Sequence, residues 1–61
     1  MPIIQVNILE GRSQEKIEQL ILNVTSIVAE TLETPKESIR VLVTEIPKTH
    51  WGVGGNPKSK S

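Results

Sequence analysis

A proline stands directly behind the initiator methionine, and in that position it can do chemistry that an internal proline cannot. If Met1 is removed, the nitrogen of Pro2 becomes a free secondary amine. If Met1 stays, the same nitrogen is an amide without basicity. A free α-amino group has a pKa of about 7.7–8.0, so it can accept and return a proton near neutral pH. Proline is also a tolerated second residue without any role, and the dipeptide alone leaves both interpretations open.

Other residue types that carry chemistry are scarce in these 61 residues. The absence of cysteine excludes a disulfide framework and a thiolate metal site. His50 is the only histidine and has no second ligand type clustered near it, so a metal site is not expected. The "GVGG" segment after Trp51 lacks the strand and helix context of a phosphate-binding loop, and its glycines are interpreted as turn residues.

Length and charge narrow the class of protein. Seven basic and seven acidic side chains cancel, which leaves no basic field for nucleic acid or an anionic membrane. The chain has no long apolar run and no signal-peptide pattern, so we predict a soluble, cytoplasmic protein without a membrane partner. Residues 1–61 are predicted to form one domain, near the lower size limit at which a chain folds alone.

The spacing of the apolar residues predicts a strand followed by a long helix. Residues 2–9 include the β-branched run "IIQVNIL", which alternates between two faces of a strand. The turn "EGRS" follows, and Ser13 is predicted to cap a helix over residues 14–33. The inward positions of that helix recur at i, i+3, i+4 and i+7, namely Ile17, Leu20, Ile21, Val24, Ile27, Val28 and Leu32.

The second half of the chain predicts another strand and an irregular end. The helix should end at "TPKES", because Pro35 cannot continue it. Thr34 and Glu37 match a capping box, which favours one further helical turn. Residues 39–46, "IRVLVTEI", are apolar on both faces, a pattern typical of a parallel strand covered on two sides. Residues 47–61 are predicted to be a loop or short hairpin with a polar tail.

These elements predict an α/β fold made of a single βαβ unit with parallel strands. One helix covers only one face of a two-stranded sheet, so the face that carries Leu42 would be left in water. Trp51 is the only aromatic residue, and no disulfide supplements the small core. We therefore expect an oligomer that pairs sheet edges and covers the second face.

Four features, in order and at matching spacing, make the chain resemble the 4-oxalocrotonate tautomerase family over essentially its whole length. The family has an N-terminal proline after methionine removal, "ILEGR(S/T)" at the first turn, "(V/I)RV" on the second strand and "H(F/Y)G(I/V)(G/A)G" near the end. The corresponding segments here are "MPIIQVNILEGRS", "SIRVLVTEI" and "HWGVGG". The resemblance implies a homohexamer, a trimer of βαβ dimers, that tautomerises small 2-oxo or 2-hydroxydienoate acids without cofactor or metal.

The resemblance also implies three catalytic residues. Pro2 would be the general acid–base, because an apolar pocket and nearby arginines lower the pKa of its amine. Arg12 and Arg40 would bind the carboxylate and carbonyl oxygens and stabilise the negative charge of a dienolate. The residues alone also fit a solvated turn arginine at position 12 and an arginine extending from a strand edge at position 40.

Two further residues match positions near the substrate. Trp51 matches an aromatic, usually Phe or Tyr, that walls the family's pocket, and the larger indole is expected to narrow the pocket or to shift substrate preference. Trp51 also fits an interface anchor. Leu9 matches a position whose backbone lies near the substrate, although a leucine at a strand end also fits the core. His50 aligns with a histidine to which we assign no catalytic role.

The distance between the predicted site residues has a consequence for assembly. Pro2 begins the first strand and Arg12 lies beyond its far end, roughly 25–30 Å away in one chain. One small acid cannot bridge that distance. Antiparallel pairing of first strands across a two-fold axis would bring the partner subunit's Arg12 beside Pro2, so we predict an active site shared between subunits.

Two alternatives remain open from the sequence. Hydrolytic dehalogenation of haloacrylates, a reaction of the same superfamily, needs an added acidic residue near the aromatic, and "HWGVGG" offers no carboxylate. A non-enzymatic oligomeric module would keep Met1 and therefore an acylated Pro2 nitrogen. The N-terminal mass distinguishes this module from the enzyme.

Overall fold

Two parallel strands joined by one helix form the body of the protein in the computed structural model, which describes residues 1–60. Strand β1 (Ile3–Leu9) pairs with β2 (Arg40–Ile46), in register from Ile3 opposite Arg40 to Leu9 opposite Ile46. Helix α1 (Gln14–Leu32) connects them. The predicted βαβ unit with parallel strands is therefore confirmed. Ser61, the last residue of the predicted tail, lies outside the described residues.

Helix α1 is closed at both ends by features of its own sequence. The Ser13 hydroxyl accepts a hydrogen bond from the Lys16 backbone N–H at 3.3 Å, and Glu15 lies in the first turn, where the helix dipole favours an acid. At the other end Glu33 adopts a left-handed conformation with φ of 53°, and its N–H bonds to the Ala29 carbonyl. The helix thus ends at Leu32, because this left-handed cap turns the chain away from the helix axis.

A short 3₁₀ turn (Lys36–Ser38) separates the helix from β2. The sequence predicts this turn, but the capping box assigned to Thr34 and Glu37 is wrong. Pro35, in an extended conformation, occupies the N-cap position and makes no side-chain capping bond. Ser38 closes the turn instead, since its hydroxyl donates to the Pro35 carbonyl at 2.9 Å. Ile39 caps the turn, so β2 begins at Arg40.

The helix covers only one face of the sheet, as the sequence predicts. Side chains on the inner face of the strands are half-buried, whereas Ile3 and Leu42 on the outer face are 63% and 48% exposed. Only Ile17 and Ile39 are buried among the described residues, at 9% and 7% exposure. The half-buried inner-face residues are Ile4, Val6, Ile8, Val41 and Val43.

The shape of the chain reflects this thin core. The molecule measures 43 × 23 × 13 Å, with a radius of gyration of 14.4 Å. A compact chain of this length has a radius of gyration of about 10 Å. Its accessible surface, 4780 Å², also exceeds the roughly 4,000 Å² typical of a folded monomer of this mass. The isolated chain is therefore a flat, extended object rather than a closed globule.

The C-terminal segment forms a small hairpin. After a 3₁₀ turn (Lys48–His50), β3 (Gly52–Val53) pairs antiparallel with β4 (Asn56–Pro57). Gly54 and Gly55 connect them with φ of 61° and 90°, the left-handed conformations that a tight two-residue hairpin turn requires. A last 3₁₀ turn (Lys58–Lys60) follows. No helix in the described part of the chain is long and apolar enough to span a membrane.

Candidate active site

Pro2 and Arg40 meet at one end of the sheet. The Arg40 backbone N–H donates to the Pro2 carbonyl at 3.0 Å, immediately before the ladder in which Ile3 lies opposite Arg40. Pro2 itself is half-buried. The residue that precedes β1 is therefore held by a backbone hydrogen bond next to an arginine.

The side chain of Arg40 is also held in place. Its Nη1 donates to the Glu37 carbonyl at 3.0 Å, on the 3₁₀ turn that precedes β2. The guanidinium is exposed and carries further N–H donors in the same plane. Such a group can bind a carboxylate with two parallel hydrogen bonds.

Arg12 lies at the opposite end of the sheet. It follows Gly11, whose φ of 118° is one that only glycine adopts without strain, and its Nη1 donates to the Leu9 carbonyl at 3.4 Å. Arg12 also contributes to a cavity of about 310 Å³ on the helix-covered side, together with Val6, Ile8, Lys16, Ile17 and Leu20. A second cation thus stands beside an apolar surface.

Trp51 lies at the same end as Arg12. The indole is half-buried and lines a shallow cavity of about 250 Å³ with Asn7, Ile46, His50 and Gly52. Ile46 is the ladder partner of Leu9, which connects this cavity to the Arg12 end of the sheet. The Trp51 carbonyl accepts a hydrogen bond of 2.7 Å from the Lys58 N–H, so the hairpin fixes the backbone at this aromatic residue.

The structure therefore divides the predicted site residues into two groups. Pro2 and Arg40 lie at one end of the sheet, and Leu9, Arg12 and Trp51 at the other. The ladder between Ile3 and Leu9 spans about 20 Å at the usual strand rise. Within one chain Pro2 and Arg12 cannot contact the same small molecule.

Two residues of the Trp51 cavity were missed by the sequence analysis. Asn7 was considered only as a strand residue, and His50 was given no role, yet both line the cavity beside the indole. No local signal joins them, because one lies on β1 and the other on the turn before β3. Among residues 1–60 no group of His, Asp or Glu side chains could hold a metal ion.

Comparisons with known proteins give a consistent result. The family model described as tautomerase enzyme matches residues 2–61. A 2-hydroxymuconate tautomerase from Pseudomonas sp. (strain CF600) is 52% identical over 60 residues, which cover 98% of this chain and 95% of that protein. A 2-hydroxymuconate tautomerase from Pseudomonas fluorescens is 50% identical over the same length and coverage.

Solved structures agree with the sequence comparisons. The crystal structure of TomN, a 4-oxalocrotonate tautomerase homologue in the tomaymycin biosynthetic pathway, superposes with a TM-score of 0.93 at 42% identity, covering 97% of this chain and 91% of that one. A heterohexameric 4-oxalocrotonate tautomerase from Chloroflexus aurantiacus J-10-fl gives 0.92 at 32% identity, with 98% and 97% coverage. The fold and the similar proteins thus support the same family as the sequence motifs.

Proposed function

The chain belongs to the tautomerase family and is a tautomerase, and from this membership we propose that the Pro2 amine moves the proton in a small enol or 2-oxo acid. The observation that carries the proposal is the anchoring of Pro2 by the Arg40 N–H at the end of β1. This bond fixes the backbone of Pro2, whose nitrogen becomes terminal once Met1 is removed, beside a residue that can bind a carboxylate. A reacting base has to be fixed in this way to be effective.

The proposed reaction is a proton transfer in two steps without cofactor. The neutral Pro2 nitrogen accepts the proton of a 2-hydroxydienoate, and negative charge develops on the dienolate oxygen. The resulting ammonium then returns the proton to a carbon of the conjugated chain, which gives the 2-oxo acid. The relatives named 2-hydroxymuconate tautomerase support 2-hydroxydienoates as the substrate class.

The half-buried position of Pro2 supports its role as a base. Burial disfavours the charged ammonium form, and guanidinium groups nearby act in the same direction. Both effects lower the pKa of the Pro2 amine, provided that Met1 has been removed. The amine then stays neutral at pH 7 and is ready to accept a proton.

Arg12 and Arg40 are proposed to bind the carboxylate and carbonyl oxygens of the substrate. Each already uses one Nη1 donor on a backbone carbonyl, Leu9 for Arg12 and Glu37 for Arg40, which limits the movement of the guanidinium. A held planar donor group suits a carboxylate, and it also stabilises an oxyanion as it forms. Trp51 and Leu9 are proposed to wall the pocket and keep water out.

We propose a homohexamer with active sites shared between subunits. Support comes from the two separated residue groups, the exposed outer face with Ile3 and Leu42, and the flat shape of the chain. The heterohexameric assembly of the Chloroflexus aurantiacus relative is consistent with this stoichiometry. A site would combine the Pro2 end of one subunit with the Leu9, Arg12 and Trp51 end of another. Cytoplasmic location stays a prediction of the sequence.

The test compares two forms of the same sequence, with and without Met1, each verified by mass spectrometry. With 2-hydroxymuconate or phenylenolpyruvate as substrate, retention of Met1 should lower kcat/KM by about 10²–10⁴, the usual contribution of a general acid–base. Thermal unfolding of the two forms is the control for folding. Pro2→Ala should be impaired less than the blocked form, since a primary amine remains. Equal turnover by all three proteins would remove the Pro2 nitrogen from the mechanism.

A further inference from the structure

The turn before β2 is fastened by several short hydrogen bonds. The Pro35 carbonyl accepts two of them from Ser38, one from its hydroxyl at 2.9 Å and one from its N–H at 3.1 Å. The Ile39 N–H donates to the Lys36 carbonyl at 3.1 Å, and the Ile39 side chain is buried at 7% exposure. The turn is thus closed on itself and attached to the core by the residue that follows it.

The same turn holds the side chain of Arg40. The Arg40 Nη1 donates to the Glu37 carbonyl. Glu37 lies between Lys36 and Ser38, the two residues whose hydrogen bonds close the turn. A 3₁₀ turn leaves its last carbonyls without an internal partner, so the Glu37 carbonyl is available to accept from Arg40. The direction in which this carbonyl points is set by the backbone of the turn. Loosening the turn should therefore loosen the guanidinium.

We propose that Ser38 is a positioning residue for Arg40. The Ser38 hydroxyl fixes the turn, the turn aims the Glu37 carbonyl, and that carbonyl holds the guanidinium in one orientation before the substrate arrives. A long arginine side chain that is already ordered loses less rotamer freedom on binding, so affinity rises without a new contact to the substrate. This inference rests on the proposed function, in which Arg40 binds the substrate's carboxylate or dienolate oxygen.

The first measurement is steady-state kinetics of the Ser38→Ala variant. Loss of one hydroxyl bond should raise KM about fivefold, the effect of a single hydrogen bond, and change kcat less. Ser38→Thr keeps a hydroxyl donor and should restore KM. Ser38→Cys, with a weak donor of similar size, should fall between serine and alanine. Ser59→Ala, in the exposed C-terminal 3₁₀ turn, is the matched control and should leave KM unchanged.

A double-mutant cycle with Arg40→Ala separates positioning from general structure. The probe is cis,cis-muconate, a dicarboxylate that lacks the enol, and its dissociation constant is measured for each variant by calorimetry. If Ser38 acts through Arg40, then Ser38→Ala should weaken muconate binding about fivefold with Arg40 present and have almost no effect in the Arg40→Ala background. Equal effects in both backgrounds would overturn the proposal.

The cycle also distinguishes failure of this inference from failure of the proposed function. If Arg40→Ala leaves muconate binding and KM unchanged, then Arg40 does not bind substrate, and both proposals are wrong at this residue. If Arg40→Ala weakens binding but Ser38→Ala does not, then only the positioning role is wrong. Thermal unfolding checks that each variant folds, because Ser38 is half-buried and its hydroxyl closes the turn.

Discussion

The backbone N–H of Arg40 bonds to the carbonyl of Pro2 at 3.0 Å, while Arg12 lies at the far end of the same strand pair. The sheet thus places the proposed base, Pro2, next to Arg40 and keeps Arg12 away from both residues. We expect assembly of several chains to complete the site and the terminal amine to be its base.

Mixed oligomers should recover activity from two impaired variants. Pro2→Ala and Arg12→Ala proteins are unfolded together, refolded as a mixture and assayed with 2-hydroxymuconate. In a random mixture half of the pairs are mixed, and one of the two sites in each such pair is intact, so about one quarter of the wild-type activity should return if strands pair across a two-fold axis. The control refolds each variant alone. A mixture no more active than its parents would contradict an active site that combines Pro2 of one subunit with Arg12 of another.

The pH dependence of kcat/KM should report the Pro2 amine. The base works only when neutral, so kcat/KM should decrease as pH falls through the pKa of this amine and level off above it. Burial and the arginines should bring that limb below the pH at which an ordinary α-amino group titrates. NMR titration of ¹⁵N-labelled Pro2 gives an independent value. A limb at the position of a solvent-exposed terminus would contradict the proposed pocket.

A charge on the outer sheet face should dissociate the assembly. Leu42 is 48% exposed in the single chain, and the proposed hexamer covers it, so Leu42→Lys would bury an unpaired ammonium. We expect smaller particles in analytical ultracentrifugation, a lower Tm and loss of activity. Gln19→Lys, which adds the same charge on the exposed side of α1, is the control. An intact, active Leu42→Lys hexamer would show that this face is not an interface.

The effect of a substitution at Trp51 on substrate preference should depend on the size of the new side chain. Trp51→Phe keeps an aromatic wall, so kcat should change little, while the preference between bulky and small enols shifts toward bulky ones. Trp51→Ala opens the cavity to water, and we expect kcat/KM to fall about tenfold, or ~1.4 kcal/mol of transition-state stabilisation. Comparing phenylenolpyruvate with 2-hydroxymuconate measures the shift. An unchanged ratio in both variants would assign Trp51 to an interface alone.

The elements could be predicted from the sequence because local signals agree with one another. The alternation in "IIQVNIL", the Ser13 cap and the helical spacing all fix structure within a few residues, and the fold has these features. The prediction of which helix residues face the sheet was less accurate. Ile27 and Leu32 were predicted to face inward, but both are 58% exposed. A helix of 19 residues is about 28 Å long, whereas a strand of seven residues spans about 20 Å, so the last turn of the helix, with Leu32, extends past the sheet.

The site was less accessible to sequence reasoning than the fold. Pro2, Arg12, Arg40, Trp51 and Leu9 were chosen through resemblance, since no spacing rule links residues at opposite ends of a sheet. The neighbours of Trp51, Asn7 and His50, come together only through tertiary packing. The bond from Ser38 to the Pro35 carbonyl was missed because Thr34 offered a better match to a known capping pattern.

Among residues 1–60 only Ile17 and Ile39 are buried, so a single copy of the chain has a very small core, and on the proposed assembly the active site forms only where copies meet. Specific activity should then depend on protein concentration. Dilution that dissociates the oligomer should abolish turnover without any substitution. The separated chains should then unfold more readily than the assembled ones.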